Sequence, residues 1–236
     1  MAINAQLGDA SQNSYVVVSQ ANTYFTNRRN TTTWDNLTAT NKEIVLIQAA
    51  RDIDQFRFYG DKYYDSQGLN FPRDDHDTVT GNCATPLTAT SFSNTSLYST
   101  SYNEMPEDYW KYGSIHITLG TPIREVKLIK SSDPSNGRVV ASPTFSEEVT
   151  ANTQFTVFKP IFKEIHDAQC EQALYLLDNA TISGLLNYKN LGAQMVKIGD
   201  ATVTFNNSGF SSLSVAPVAK KLLAQFIDRS LLVYRK

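Results

Sequence analysis

Arg73-Asp74-Asp75-His76-Asp77 sets three carboxylates and an imidazole side by side. Such donors suit a hard divalent cation. Adjacent residues converge on one ion only within a shaped loop, and this spacing is not that of an EF-hand. The run therefore reads as a solvated acidic loop. A metal enzyme using Asp74, Asp75, His76 and Asp77 stands as a rival. His116 falls in a strand pattern and His166 in a helix pattern, where a surface or satisfied core role is expected. Glu107-Asp108 and Glu147-Glu148 are adjacent pairs that read as solvated loops, since nothing places either as an acid/base couple. No GxSxG, HExxH, P-loop or GxGxxG motif is present.

A second constellation is aromatic. Tyr59, Tyr63, Tyr64 and Phe71 crowd one loop with Arg57, Lys62 and Arg73. Base-stacking platforms pair aromatics with cations in this way. Here Asp61, Asp65, Asp74 and Asp75 interleave and cancel the positive field. Packing onto helices or onto a neighbouring subunit is the expected role. Near the C-terminus, Lys220, Lys221, Arg229, Arg235 and Lys236 give a basic helix face. Cations near a helix C-terminus are favourable in themselves; a protein interface is the sharper reading.

The whole chain shows no excess of either charge. Its 236 residues carry 21 Lys and Arg against 23 Asp and Glu, a net charge of −2. A nucleic-acid binder's basic footprint is missing. The longest apolar runs, such as 173–177, are too short to cross a membrane. The N-terminus has no basic region followed by an apolar run, so no signal peptide is expected. Cys83 and Cys170 fit no metal-ligand spacing. Free thiols are expected, with a disulfide between them as the alternative.

The elements that must position these groups follow from pattern. Residues 1–14 are polar and read as a flexible or partner-bound arm. Ser19 reads as the N-cap of a helix over 20–28. Thr40 and Glu43 make a capping box for a helix over 41–58, which Gly60 ends. Residues 78–103 are rich in Ser, Thr and Asn and read as loop. Alternating runs at 114–119, 125–129, 138–141 and 154–158 predict strands. Pro160 opens a helix over 161–179. Residues 195–205 predict a hairpin, and Pro217 opens a last helix over 218–232. The expected fold class is α+β: a small α-helical bundle with a short β-hairpin and a large β-rich insertion. The bundle takes residues 1–75 and 160–236, and the insertion residues 76–159.

The order of these signals resembles a known family. It runs from a short helix with "YF" through Trp34-Asp35 and "EIVLIQAARDID" to Phe71-Pro72-Arg73. After the insertion come "KEIHDAQCEQALYLL", "VKIGDATVTF" and "APVAKKLLAQFI". This pattern looks like a tailed-phage family often labelled DnaT-like single-stranded-DNA-binding protein, similar in turn to phage head–tail connectors or adaptors. The resemblance covers about residues 14–75 and 160–230. It implies a helical adaptor that forms a homo-oligomeric ring of twelve subunits in the virion neck, assembled in the host cytoplasm. The ring would sit between the portal protein and a tail or nozzle protein. Genomic DNA would pass through its lumen without specific binding. No catalysis, cofactor, metal or membrane is implied. The DnaT-like label implies instead a single-stranded-DNA-binding replication protein. Family members usually leave the Phe-Pro-Arg loop by a short link, so the insertion is a departure.

On that basis Phe71 and Pro72 form a structural corner. Proline fixes its own φ and restricts the residue before it. Phe71 is then expected to point inward and Arg73 outward, toward a carboxylate on a neighbouring subunit. Arg73, Lys220, Lys221 and Arg229 are the expected subunit or portal contacts.

Overall fold

A computed structural model describes residues 2–85, 87–99, 104–178, 195–198, 201–204 and 215–228. Its largest element is an antiparallel sheet of six strands: β1 (Thr78–Asn82), β2 (Ser91–Ser93), β3 (Ser114–Leu119), β4 (Val126–Asp133), β5 (Arg138–Ser142) and β6 (Gln154–Phe158). The strand order is β1-β6-β3-β4-β5-β2. The sheet curls until its two edges touch. Beyond β1, Ala84 bonds Ser93 of β2 through N–H···O contacts of 2.8 and 3.0 Å. This pairing gives the two edges a common contact. Bulges fall in β3 between Ile117 and Leu119 and in β4 between Ile129 and Ser131, where they sharpen the curl.

Around the sheet lie α1 (Val18–Thr26), α2 (Thr32–Asp35), α3 (Ala39–Ile53), α4 (Lys163–Asp178) and α5 (Pro217–Leu223). A separate hairpin, β7 (Met195–Ile198) with β8 (Ala201–Thr204), pairs Met195 with Thr204. The expected fold class is thereby corrected. A curled six-stranded antiparallel sheet dominates, with few helices, rather than a helical bundle bearing a small hairpin. Among the described residues no helix is long and apolar enough to cross a membrane.

Two strands explain how sheet and helices join. In β3, Ile115 and Ile117 enter the core inside the sheet. Alternate residues Ser114 and His116 face the other way and are also buried. In β6, Phe155 and Val157 enter that same core, while Phe158 belongs to the core under the helices. The period-2 geometry of a strand thus puts one strand into two cores. At the junction a Cβ on Gly113 would overlap the carbonyl of Phe158, so the chain passes there only as glycine.

The N-terminal arm, expected to be flexible or partner-bound, packs on the chain's own β3. Leu7 is 1% exposed, and its N–H donates to Ser114 Oγ at 2.6 Å. His116 Nε2 lies 2.6 Å from the Leu7 carbonyl, so Nε2–H is the donor. Burial pushes the His116 pKa down, against the pull of this bond. The unfolded imidazole titrates near pH ~6.5, so on acidification the unfolded state takes the proton first. Stability is full above that pH and falls as pH drops toward the folded-state value. Wild type should lose stability between pH 7 and 5 relative to His116→Gln, by about 1.4 kcal/mol for each pH unit by which the folded value is depressed. Urea unfolding at both pH values measures this. Parallel pH profiles would show that His116 titrates alike in both states.

Helix starts differ by a few residues from expectation. α1 begins after Val17, whose N–H bonds Gln20 Oε1 at 3.0 Å. α3 is capped by Thr38, whose hydroxyl accepts from Asn41 N–H at 3.3 Å. It ends at Ile53, well before Gly60.

Candidate interaction site

The Phe-Pro-Arg corner is built from below. Asp54, just past the end of α3, accepts from Asn70 N–H at 2.9 Å and from the Tyr15 hydroxyl. Burial raises its carboxyl pKa, and these bonds oppose the rise. Gln67 donates to the carbonyls of Leu69 and Pro72, each at 2.9 Å. Phe71 is 1% exposed and meets the rings of Tyr15, Phe58 and Phe226 edge-on. It points inward as expected, and the Phe71–Pro72 peptide is cis.

Arg73 does not point outward. It is 7% exposed, and its guanidinium donates to the carbonyls of Tyr59 (2.8 Å), Phe58 (3.0 Å), Asn70 (3.4 Å) and Gly60. The reason is local supply. The turn at Gly60, with φ 73, leaves carbonyls without partners, and the five N–H donors of arginine satisfy several together. The clamp expected across subunits is a clamp on the protein's own loop.

The other cations of that loop are also engaged. Arg57 pairs with Asp228 at 3.0 Å, and Lys62 Nζ donates to the Gln67 carbonyl at 3.3 Å. Tyr63 and Tyr64 pack edge-on against Phe158, leaving Tyr59 as the exposed aromatic of the four. In the acidic run, Asp74 and Asp75 are exposed, and Asp77 reaches Lys159 at 3.3 Å. His76 turns inward to the Lys159 carbonyl at 2.8 Å. Among the described residues no three His, Cys, Asp or Glu side chains gather around a metal-sized space.

Two clefts adjoin at Ile161 and Lys163. The larger, about 580 Å³, lies between α1 and α4 and is lined by Tyr24, Arg28, Tyr112, Lys163, His166 and Asp167. The smaller, about 420 Å³, includes Asp77, Glu107, Asp108, Tyr109 and Lys159. Three of their cations are Arg28, Lys163 and Lys159, and each is ion-paired: with Glu171 at 2.7 Å, with Asp167, and with Asp77. Burial pushes the Glu171 carboxyl up, but Arg28 and the Tyr24 hydroxyl overcome it and hold the carboxyl below its usual value. His166 Nδ1 lies 2.8 Å from Asp167 Oδ1. Sequence pattern alone missed this Arg28–Glu171–Tyr24 cluster. The signal available was a glutamate on the buried side of a helix.

Cys83 and Cys170 are free and buried. Burial pushes the Cys83 thiol up to about 12 and raises Cys170 as well. On α5, Lys221 is exposed and Lys220 half-buried, and neither has an ion pair among the described residues. Arg229 lies outside the described residues.

Residues 1–86 match the family described as "Putative DnaT-like ssDNA binding protein". No curated protein matches the chain. The matched segment holds the N-terminal arm, α1 to α3, the Phe-Pro-Arg loop and β1, less than half of the chain. The remaining five strands of the sheet, α4 and α5 lie beyond it. Of the two binding roles that the sequence pattern suggests, the match favours single-stranded-DNA binding over the adaptor role.

Proposed function

We propose that this protein is a structural assembly component, a ring-forming head-to-tail adaptor that sits on a phage portal and has no enzymatic role. One observation weighs against the nucleic-acid alternative. The cations of the aromatic loop each have a partner in the chain: Arg57 on Asp228, Lys62 on the Gln67 carbonyl, Arg73 on four carbonyls. Phosphate binding needs cations that can release counterions, and the cleft cations are neutralised as well.

The second reading, a single-stranded-DNA-binding protein, rests on the family match over residues 1–86. One experiment separates the two. The protein is mixed with its portal for electron microscopy and, separately, with a labelled oligonucleotide across salt. A ring stacked on the portal is the expected result, with little oligonucleotide binding at about 50 mM salt. No association with the portal, together with oligonucleotide binding that falls steeply with salt, would replace the adaptor reading with the second.

A further inference from the structure

The seam of the curled sheet closes at one end of β1 and stays open at the other. Asp77 and Cys83 flank β1 and both bond β6: Lys159 N–H donates to the Asp77 carbonyl at 3.1 Å, and Cys83 N–H to the Thr153 carbonyl at 2.8 Å. Bonding alternates along an antiparallel ladder, so Val79 and Gly81 also face β6. Thr78, Thr80 and Asn82 turn their N–H and C=O groups the other way, to the outer edge. The Asn82 carbonyl accepts from Asn94 Nδ2 at 2.7 Å, and beyond it Ala84 pairs with Ser93. The backbone groups of Thr78 and Thr80 have no partner among the described residues. Thr80 is exposed and Thr78 half-buried.

The edge at β2 is used up by its own chain. Ser91 N–H donates to Thr88 Oγ1 at 3.0 Å, its carbonyl accepts from Thr88 N–H at 3.1 Å, and Ser93 takes Ala84. β1 lacks the devices that blunt an edge. Its sequence, TVTGN, holds no charge and no proline, and its register against β6 runs without a bulge. Such an edge recognises an extended backbone, which adds as a further strand.

The chain also carries a strand pair without a larger sheet. β7 and β8 form a two-stranded sheet of their own, and no third strand among the described residues pairs with either. A two-stranded hairpin is marginal in water until a further strand or a helix joins it. We infer that the β7–β8 hairpin of one copy adds to the β1 edge of the next, where it takes the free backbone groups of Thr78 and Thr80. Two different surfaces meet, so the contact is heterologous and builds either a closed ring or an open filament. The contact rests on the adaptor reading for its setting, in which copies stand side by side in a ring.

The test uses the full chain, in solution and on its portal. Thr80→Pro removes an N–H that faces outward and leaves the ladder to β6 intact. It should weaken association between copies about tenfold or more. Replacing residues 195–204 by a Gly-Ser linker of equal length should do the same. Mixed together, the two variants should form one-to-one dimers, because one keeps its hairpin and the other its edge. As a second measurement, amide exchange in the wild type should slow about tenfold or more at Thr78 and Thr80 on association. Val79, already bonded to β6, should not change. Copies that stay single in solution and on the portal, no mixed dimer, or equal exchange at Thr78 and Thr80 in dilute and associated protein would each overturn the inference. Rings on the portal that survive Thr80→Pro overturn it and spare the adaptor reading. Edge-dependent association without portal binding supports it and overturns the adaptor reading.

Discussion

Arg73→Ala should lower the unfolding free energy by about 2–4 kcal/mol. The side chain is buried and donates to carbonyls of Phe58, Tyr59, Gly60 and Asn70. Each buried acceptor left without a donor costs about 1–3 kcal/mol. Four such losses would exceed the expected figure, but a polar cleft of about 390 Å³ borders the same carbonyls and lets water replace part of the loss. The damage should spread along the chain. Tyr59 N–H bonds the Phe226 carbonyl at 2.9 Å, and Asp228 N–H bonds the Arg57 carbonyl at 2.9 Å. Loosening residues 57–60 therefore loosens the end that follows α5. Arg73→Met keeps the stem and removes the donors, so it should fall close to Ala. Arg73→Lys supplies one compact ammonium in place of a fork and should fall between. Urea unfolding with an unchanged m-value measures the series. A loss below about 0.5 kcal/mol for Ala would mean that water serves these carbonyls as well as arginine does.

The same residue shows where pattern reading stops. Phe71 inward was legible, because an aromatic before proline beside an amphipathic helix has an obvious core to enter. Arg73 outward followed from the usual exposure of arginine. What reversed it was the count of carbonyls left open by the turn at Gly60, which depends on three-dimensional closure. In the sheet, 114–119 and 154–158 were legible as strands from alternation, and 138–141 nearly so. β1 and β2 were hidden in the Ser/Thr-rich stretch because each is short, and "TVTGN" and "SFS" carry too few apolar residues to show a period. Without them the β part looks like an appendage. With them the sheet curls until its edges touch and becomes the dominant architecture. The N-terminal arm misled for a related reason. Its polarity suggests solvent, yet Gln12 and Ser14 are buried because they bond within the arm and to helix α4.

The candidate interface residues divide along the same line. Lys220 and Lys221 have no ion pair among the described residues. In the segment Ala168-Gln169-Cys170-Glu171-Gln172, pattern marks Ala168 and Cys170 as inward and is silent on the three polar residues. All five residues are buried.

Within that segment, Gln169→Leu should cost about 1–3 kcal/mol, although leucine fills nearly the same volume. Gln169 is 0% exposed. Its Oε1 accepts from Tyr15 N–H at 2.9 Å, and its Nε2 donates to Ser14 Oγ at 2.7 Å and to the Leu46 carbonyl at 2.8 Å. One side chain on α4 thereby holds both the N-terminal arm and α3. Leucine leaves the Tyr15 N–H buried and unpaired, while the Leu46 carbonyl, inside α3, keeps its place in the helix ladder and loses only its second bond. Ser14 suffers less, because its hydroxyl still donates to the Val16 carbonyl at 2.7 Å. Gln169→Glu separates hydrogen bonding from packing. An ionised carboxylate accepts from Tyr15 but cannot donate to Leu46, whereas the protonated acid can do both. Burial raises the folded-state pKa of such a group, so the folded state binds the proton more tightly. The Glu variant should therefore gain stability relative to wild type as pH falls through its folded value toward the unfolded one near ~4.3. Unfolding of the three proteins at pH 7 and 5 tests this. If leucine matches wild type at both, the glutamine is filling space, and the arm and α3 are held together by their apolar contacts alone.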